Sequence, residues 1–347
     1  MGKASAFRFC SLVLATVAMA AGCQRSGPPG NIAGAEWEGG PFEVTGPYAH
    51  QNLSVFLIHS PNQDDREFIT LDQGLKEGWV KVSEKRQEQV GELQIENQSE
   101  YPLFLQEGDR LQGGKQDRII IASLVVPPQS GQMSVPAFCI EQGRWQEGVH
   151  GVDFNYTANA ALAPKATRQA AKFDKSQEKV WESVRDQKRA AEGRMLGRMS
   201  TSSLNETLDS PEVQKISEEF AQALREVLED HEDAVGVAIV INGKIEEVNV
   251  YPNHSLLEKL YPRLLESYAL QATLEKDKAK EAKVVEPADI VKFMTEDKSK
   301  PRRQQSINAD NTGYMLSSST EEAATTYYKG GAVHRQVLSK SSPSGEK

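Results

Sequence analysis

Between Asn52 and Ile140 the chain carries a close succession of short apolar runs with little helical periodicity between them, and this spacing constrains the fold more than any other feature. Runs at 53–58, 68–71, 103–105, 119–126 and 133–140 are apolar, while 79–84 and 93–97 alternate apolar and polar residues. Period-two alternation marks half-buried strands. The run 119–126, bounded by Pro127 and Pro128, has the continuous apolarity of one strand covered on both faces. Strands this close, without crossover helices between most of them, exclude a doubly wound parallel sheet. A polar piece at 72–78 predicts two helical turns.

The period then changes. Phe173, Val180, Trp181 and Val184 recur at helical spacing and predict a helix over 174–192. Ser210-Pro211 supplies an N-cap and a first-turn proline for a second helix, whose stripe is Val213, Ile216, Phe220, Leu224, Val227 and Leu228. A strand at 234–241, the turn Asn242-Gly243 and a returning strand at 245–251 form a hairpin signal. The next helical stripe runs from Leu256 to Tyr268, and Pro262 inside it predicts a kink or two short helices. Residues 277–305 are charged and read as a linker with one short helix around 290–294. The stretch 325–334 reads as a hairpin returning to the sheet. The expected fold is α+β: a strand-rich, mostly antiparallel N-terminal half with packed helices and a later β-hairpin in a single compact domain. The expected boundaries are 1–22, 23–45, 46–275 for the folded domain, 276–310 for the charged linker and 311–347 for the C-terminal hairpin and tail.

Lys3 and Arg8 flank an apolar run at 9–21, too short to span a bilayer, where about 20 residues are needed. The layout is that of a signal peptide over 1–22, and Ala20-Ala21-Gly22-Cys23 resembles a lipobox, which implies lipidation of Cys23. Cleavage by ordinary signal peptidase after Ala18-Met19-Ala20 is the alternative. The Gly/Pro-rich residues after Cys23 read as a tether over 23–45. Gln24 after the lipidated position resembles the outer-membrane default of Gram-negative lipoproteins, so the expected place is the cell envelope, on the outer membrane and facing the periplasm. A formal charge of −9 and a pI near 5.4 argue against nucleic acid as a partner, because phosphate contacts need clustered Lys and Arg. With Cys10 removed and Cys23 lipidated, Cys139 stands alone, which excludes an intramolecular disulfide; it reads as a buried structural thiol.

Two polar clusters follow apolar strands, at 106–118 and 141–145. Gly113-Gly114-Lys115 fails as a phosphate loop, because Gln116 stands where Ser or Thr is required. The six histidines have no helical metal spacing and there are no paired cysteines, so neither a metal nor a cofactor is expected. Several blocks together resemble the ARPP-1 family, the ADP-ribosylglycohydrolase and rhodanese-phosphatase superfamily-associated domain. They are 69–72, 80–84, 93–97, 105–118, 135–145, 234–237, 242–244 and 264–270, and the resemblance covers roughly Gly46 to Leu274. It implies association with ADP-ribose or phosphoryl chemistry and carries no catalytic residues with it.

Three readings stand side by side. In the first, Lys115, Gln116, Arg118, Glu141, Arg144 and Trp145 line a pocket for a small anionic, nucleotide- or ADP-ribose-like ligand, in a non-catalytic module that otherwise binds an envelope protein. In the second, Glu141 or Asp117 is the general base of a hydrolase acting on a phosphate- or ribose-containing substrate, and Lys115 or Arg144 stabilises developing negative charge. In the third, the same residues form ion pairs that fix two loops, Glu141 with Arg144 and Asp117 with Lys115. The expectation leans away from an enzyme.

Overall fold

A computed structural model of the chain describes residues 32–37, 40–84, 91–114, 116–141, 156–159, 161–195, 203–276, 283–295 and 303–340. The leader, the lipobox and Cys23 lie outside the described residues. Among those described, one large antiparallel sheet of nine strands has the order Ile32–Trp37, Gly40–His50, Leu53–His59, Ala234–Ile241, Lys244–Val250, Gly331–Ser339, Glu321–Tyr328, Asn311–Ser317 and Arg303–Ser306. The fold is α+β with mostly antiparallel pairing, as the strand spacing predicts; Ile69–Thr70 against Leu103–Leu105 is parallel.

Alternation explains why its central strands are apolar throughout. Val55 and Leu57 pack with Val237 and Ile239 against Leu256, Leu260, Leu264 and Phe220 on one face. Phe56 and Ile58 point the other way, towards Val240, Val248, Ile290 and Met294. The helix Pro287–Met294, inside the stretch expected as a charged linker, therefore covers the second face, and Arg303–Ser306 adds a strand to the sheet. Residues 277–282 and 296–302 lie outside the described residues.

The helix His254–Glu275 starts at Asn253, whose side chain accepts from the Leu256 N–H, and runs on through Pro262 as one element. A proline inside a helix costs about 3 kcal/mol. Here the flanking residues are held in place: the Tyr261 hydroxyl donates to the Leu224 carbonyl at 2.7 Å, and Arg263 reaches Asp109 at 2.6 Å. Burial of Leu260, Leu264 and Leu265 around it offsets the lost backbone bond.

The smaller sheets share a second core. One has the order Leu124–Val126, Leu103–Leu105, Ile69–Thr70, and the other Thr157–Ala158, Arg110–Gln112, Arg118–Ile120, Met133–Cys139, Glu92–Asn97, Val80–Glu84. The apolar run 119–126 is thus two strands rather than one. Arg118–Ile120 pairs with Met133–Cys139, whereas Leu124–Val126 pairs with Leu103–Leu105 in the other sheet. The chain changes sheet at Ser123, whose hydroxyl accepts from the Glu107 N–H and whose carbonyl accepts from Thr326. Helices Lys165–Lys172, Gln177–Met195, Leu204–Leu208 and Pro211–Leu224 pack beside Ile119 and Ile140, with Ala171, Val180, Leu204 and Val213 in the contact.

Candidate functional site

Strand pairing brings the two sequence clusters together. Arg118 lies opposite Cys139, and the Ile140 N–H donates to the Asp117 carbonyl at 3.0 Å. Gln116, Asp117, Arg118 and Glu141 are all buried; Lys115, Arg144 and Trp145 lie outside the described residues. The Asp117 carboxylate accepts from the Gly113 N–H at 3.1 Å and from the Ser203 hydroxyl at 2.6 Å; the Glu141 carboxylate accepts from the Asp117 N–H at 3.5 Å, while the Glu141 backbone bridges to Ser203. These carboxylates bind neighbouring loops together.

Arg118 points inward rather than towards solvent. Its Nη2 donates to both Glu84 oxygens at 3.0 Å, and its Nη1 to Cys139 Sγ at 2.7 Å. Burial opposes its charge, but the Glu84 carboxylate beside it raises its pKa overall. Burial pushes the Cys139 thiol up, which keeps it protonated and unreactive. Glu84 also accepts from the Tyr156 hydroxyl at 2.6 Å. Burial, then the neighbouring Glu84 charge, pushes the Tyr156 phenol above its usual range.

That Tyr156–Glu84 bond crosses a seam. Val80–Glu84 and Thr157–Ala158 are the two edges of the six-stranded sheet, and residues from both line one cleft of about 510 Å³. The sheet therefore curls until its edges face each other. Lys81, Ser83, Gln94, Glu96, Gln132 and Tyr156 supply an ammonium, a hydroxyl, two amides, a carboxylate and an aromatic face. Gly114 abuts Tyr156: at φ +62° it lies so close that an added Cβ would sit 2.0 Å from the phenol oxygen. A smaller cavity of about 140 Å³ lies among Leu208, Asp209, Val213, Glu218 and Glu266, and Arg110 of the first cluster donates to Asp209 in its wall at 2.8 Å.

A second assembly was not foreseen. The turn Gln106-Glu107-Gly108-Asp109 wraps around Arg168, with Gly108 (φ +93°) so close that a Cβ would lie 2.3 Å from Arg168 Cδ. Arg168 donates to both Glu247 oxygens at 2.7 and 2.5 Å, and Gln336 donates to the same carboxylate at 2.6 Å. Tyr268 also donates to Glu247; Lys172 pairs with Glu107, and Lys165 with Glu246. Burial alone would raise the Glu247 pKa, but the Arg168 guanidinium and these donors hold it at about 2. Glu107 is pushed up by burial despite Lys172, and its Oε1 has no hydrogen-bond partner. The available signal was Lys165, Arg168 and Lys172 at i, i+3 and i+7, one face of a short Ala-containing helix. Cationic stripes usually face water, so the pattern reads as surface.

The whole arrangement sits inside one recognisable stretch of sequence. The family model for the ARG and Rhodanese-Phosphatase-superfamily-associated Protein domain, ARPP-1, matches residues 41–338. No curated protein and no solved structure matches the chain.

Proposed function

The chain belongs to the ARPP-1 family, and on that premise we propose that it is a non-catalytic binding or accessory module whose ligand occupies the seam cleft. The ligand is small and anionic, of nucleotide or ADP-ribose type. Lipid on Cys23 holds the module to the outer membrane, facing the periplasm. The observation that carries the reading is the cleft itself. Its volume of about 510 Å³ falls within the range of small-molecule pockets, about 300–1,000 Å³. Lys81 offers a cation, the amides and Ser83 offer hydrogen bonds, and Tyr156, 5 % exposed, forms part of the cleft floor. The buried Arg118–Glu84 pair fixes the Tyr156 hydroxyl from behind, so the cleft is ordered before a ligand arrives. The hydrolase reading fares worse: Asp117 and Glu141, the general-base candidates, are bonded between loops and do not line the cleft.

The test is a thermal-shift screen of the full chain against nucleotides, ADP-ribose, sugars and peptidoglycan fragments. A ligand at 100 times its Kd stabilises by about 2.7 kcal/mol. The reading expects a hit that Lys81→Ala abolishes while leaving the unliganded melting temperature unchanged. A hit that survives both Lys81→Ala and Tyr156→Ala refutes the cleft as the site, and consumption of the ligand on incubation favours the hydrolase.

A further inference from the structure

A different group of residues, unused by the cleft, converges at the end of a central strand of the large sheet. His59 closes the strand Leu53–His59 and lies opposite Ala234. His231 and Asp233 belong to the turn that enters Ala234–Ile241, closed by the Ala234 N–H donating to the His231 carbonyl at 2.9 Å. Each of the three presents one ligand atom, and these atoms lie within 4.8 Å of one another. We propose that His59, His231 and Asp233 form a transition-metal site, with Zn2+ as the ion that fits the donors best.

Two imidazoles and a carboxylate form a borderline donor set, which selects zinc and its neighbours over magnesium or calcium. His59 Nδ1 already faces Asp233 Oδ1 at 2.9 Å, close to the separation of two donors sharing one zinc ion, which is about 3.3 Å from bond lengths near 2 Å. The metal would replace the proton between them. On the other side of the ring, His59 Nε2 lies 2.7 Å from the Thr45 hydroxyl. With Nδ1 on a metal, Nε2 carries the hydrogen and Thr45 accepts it, the outer bond that orients a ligating histidine. His231 has a matching support, the Tyr48 hydroxyl 3.0 Å from its Nε2, and its ring meets those of Tyr48 and His59 edge-on. Both imidazoles are thus fixed before a metal arrives.

The site is anchored at the back and open at the front. His59 is buried, whereas the Asp233 side chain is 64 % exposed, which leaves an entry path and at least one position for water. Three protein ligands with an open position are the pattern of reactive rather than purely structural zinc. Glu43 pairs directly with His59 across the strands, so its side chain emerges on the same face and adds a negative charge near the ion.

The sequence concealed this cluster because His59 and His231 are joined only by tertiary pairing; the local trace is His231-x-Asp233 in a turn.

The experiment uses the full chain carrying no polyhistidine tag, titrated with Co2+ as an optical probe and with Zn2+ by calorimetry. The proposal expects one equivalent bound, visible Co2+ bands of four- or five-coordinate type, a melting temperature raised by Zn2+, and affinity that falls as pH is lowered because the metal competes with protons for its ligands. Asp233→Asn and His231→Ala lose the bands. Thr45→Val, which keeps all three ligands, weakens Zn2+ by about 10–100-fold, the usual effect of removing an outer-shell partner. Melting of the metal-free variants separates loss of the site from loss of the fold. The proposal is overturned if wild type gives no stoichiometric binding, or if Asp233→Asn, folded, binds as wild type does.

Discussion

Replacing Arg168 by Met is the most informative perturbation, because it removes the positive charge from a pair with no access to water. Arg168 and Glu247 are each 0 % exposed, and Glu247 takes two hydrogen bonds from the guanidinium and one each from Gln336 and Tyr268. Met keeps most of the aliphatic length but leaves the carboxylate with its neutral donors and without the cation paired to it. Breaking a buried pair from one side costs about 3–5 kcal/mol. A second route gives the same size. Glu247 escapes its unpaired charge by taking a proton, and from its ordinary value of 4.5 that costs about 3 kcal/mol at pH 7, at about 1.4 kcal/mol per pH unit. Against a typical total of about 5–15 kcal/mol, this is a major loss.

The pH dependence has a definite sign. Glu247 has a folded pKa of about 2 against 4.5 unfolded, so its stabilising contribution is fully present above 4.5 and is lost as pH falls towards 2. The penalty of Arg168→Met should therefore shrink between pH 6 and pH 3. Urea unfolding at several pH values, for wild type, Arg168→Met, Glu247→Gln and the double variant, measures both the loss and the coupling. Lys179→Ala, which breaks only a surface pair with Asp174, is the control and leaves the midpoint unmoved. A loss below about 1 kcal/mol at pH 7, or one that does not change with pH, would refute the reasoning.

Other outcomes follow from single residues. His334 stacks on Tyr251 at 5.0 Å between centroids, and burial lowers its pKa to about 3 from 6.5. The folded chain therefore loses stability as pH falls below 6.5, by about 1.4 kcal/mol per unit from this residue, and His334→Gln removes that slope in urea titrations between pH 6 and 4. Gly114→Ala combines a φ of +62° with a contact 2.0 Å from the Tyr156 oxygen and should cost about 1–3 kcal/mol, partly recovered by Tyr156→Phe, in denaturant unfolding. Cys139 is 1 % exposed with its pKa raised, so disulfide reagents at pH 8 label the folded chain far more slowly than the denatured one; equal rates would place the thiol at the surface.

Local pattern was readable where one face of an element decides its fate. Ser210-Pro211 does begin the helix Pro211–Leu224, with Ser210 accepting from the Val213 N–H. Asn242-Gly243 does turn the hairpin, at φ +51° and +70°. The failures come from tertiary choices that local sequence does not encode. The run 119–126 divides because its two ends enter different sheets, and Pro262 does not split its helix in two because its neighbours are pinned on the core. The site behaves likewise. Gln116, Asp117, Arg118 and Glu141 were identifiable as an unusual polar group, and the sheet does join them. That Arg118 turns inward to Glu84, and that Tyr156 and Lys81 face the cleft, depends on the curl that brings two sheet edges together. Lys165, Arg168 and Lys172 were passed over because their partners lie 65 to 174 residues away.

The late strands also set an order of events. Asn311 bonds both backbone groups of Val125, 186 residues earlier, at 2.8 Å; Thr326 bonds Ser123, and Gln336 bonds Lys172. Closing loops of that length precedes the reward from the contacts they bring, which slows folding. A chain emerging N-terminus first thus holds Lys172, Glu247 and the open edge of Lys244–Val250 without their final partners until Gly331–Ser339 arrives. Until then it presents an unpaired strand, and its ion pairs Arg168–Glu247 and Lys172–Glu107 lack the Gln336 amide; an open strand edge is a feature by which proteases and holding chaperones select a client.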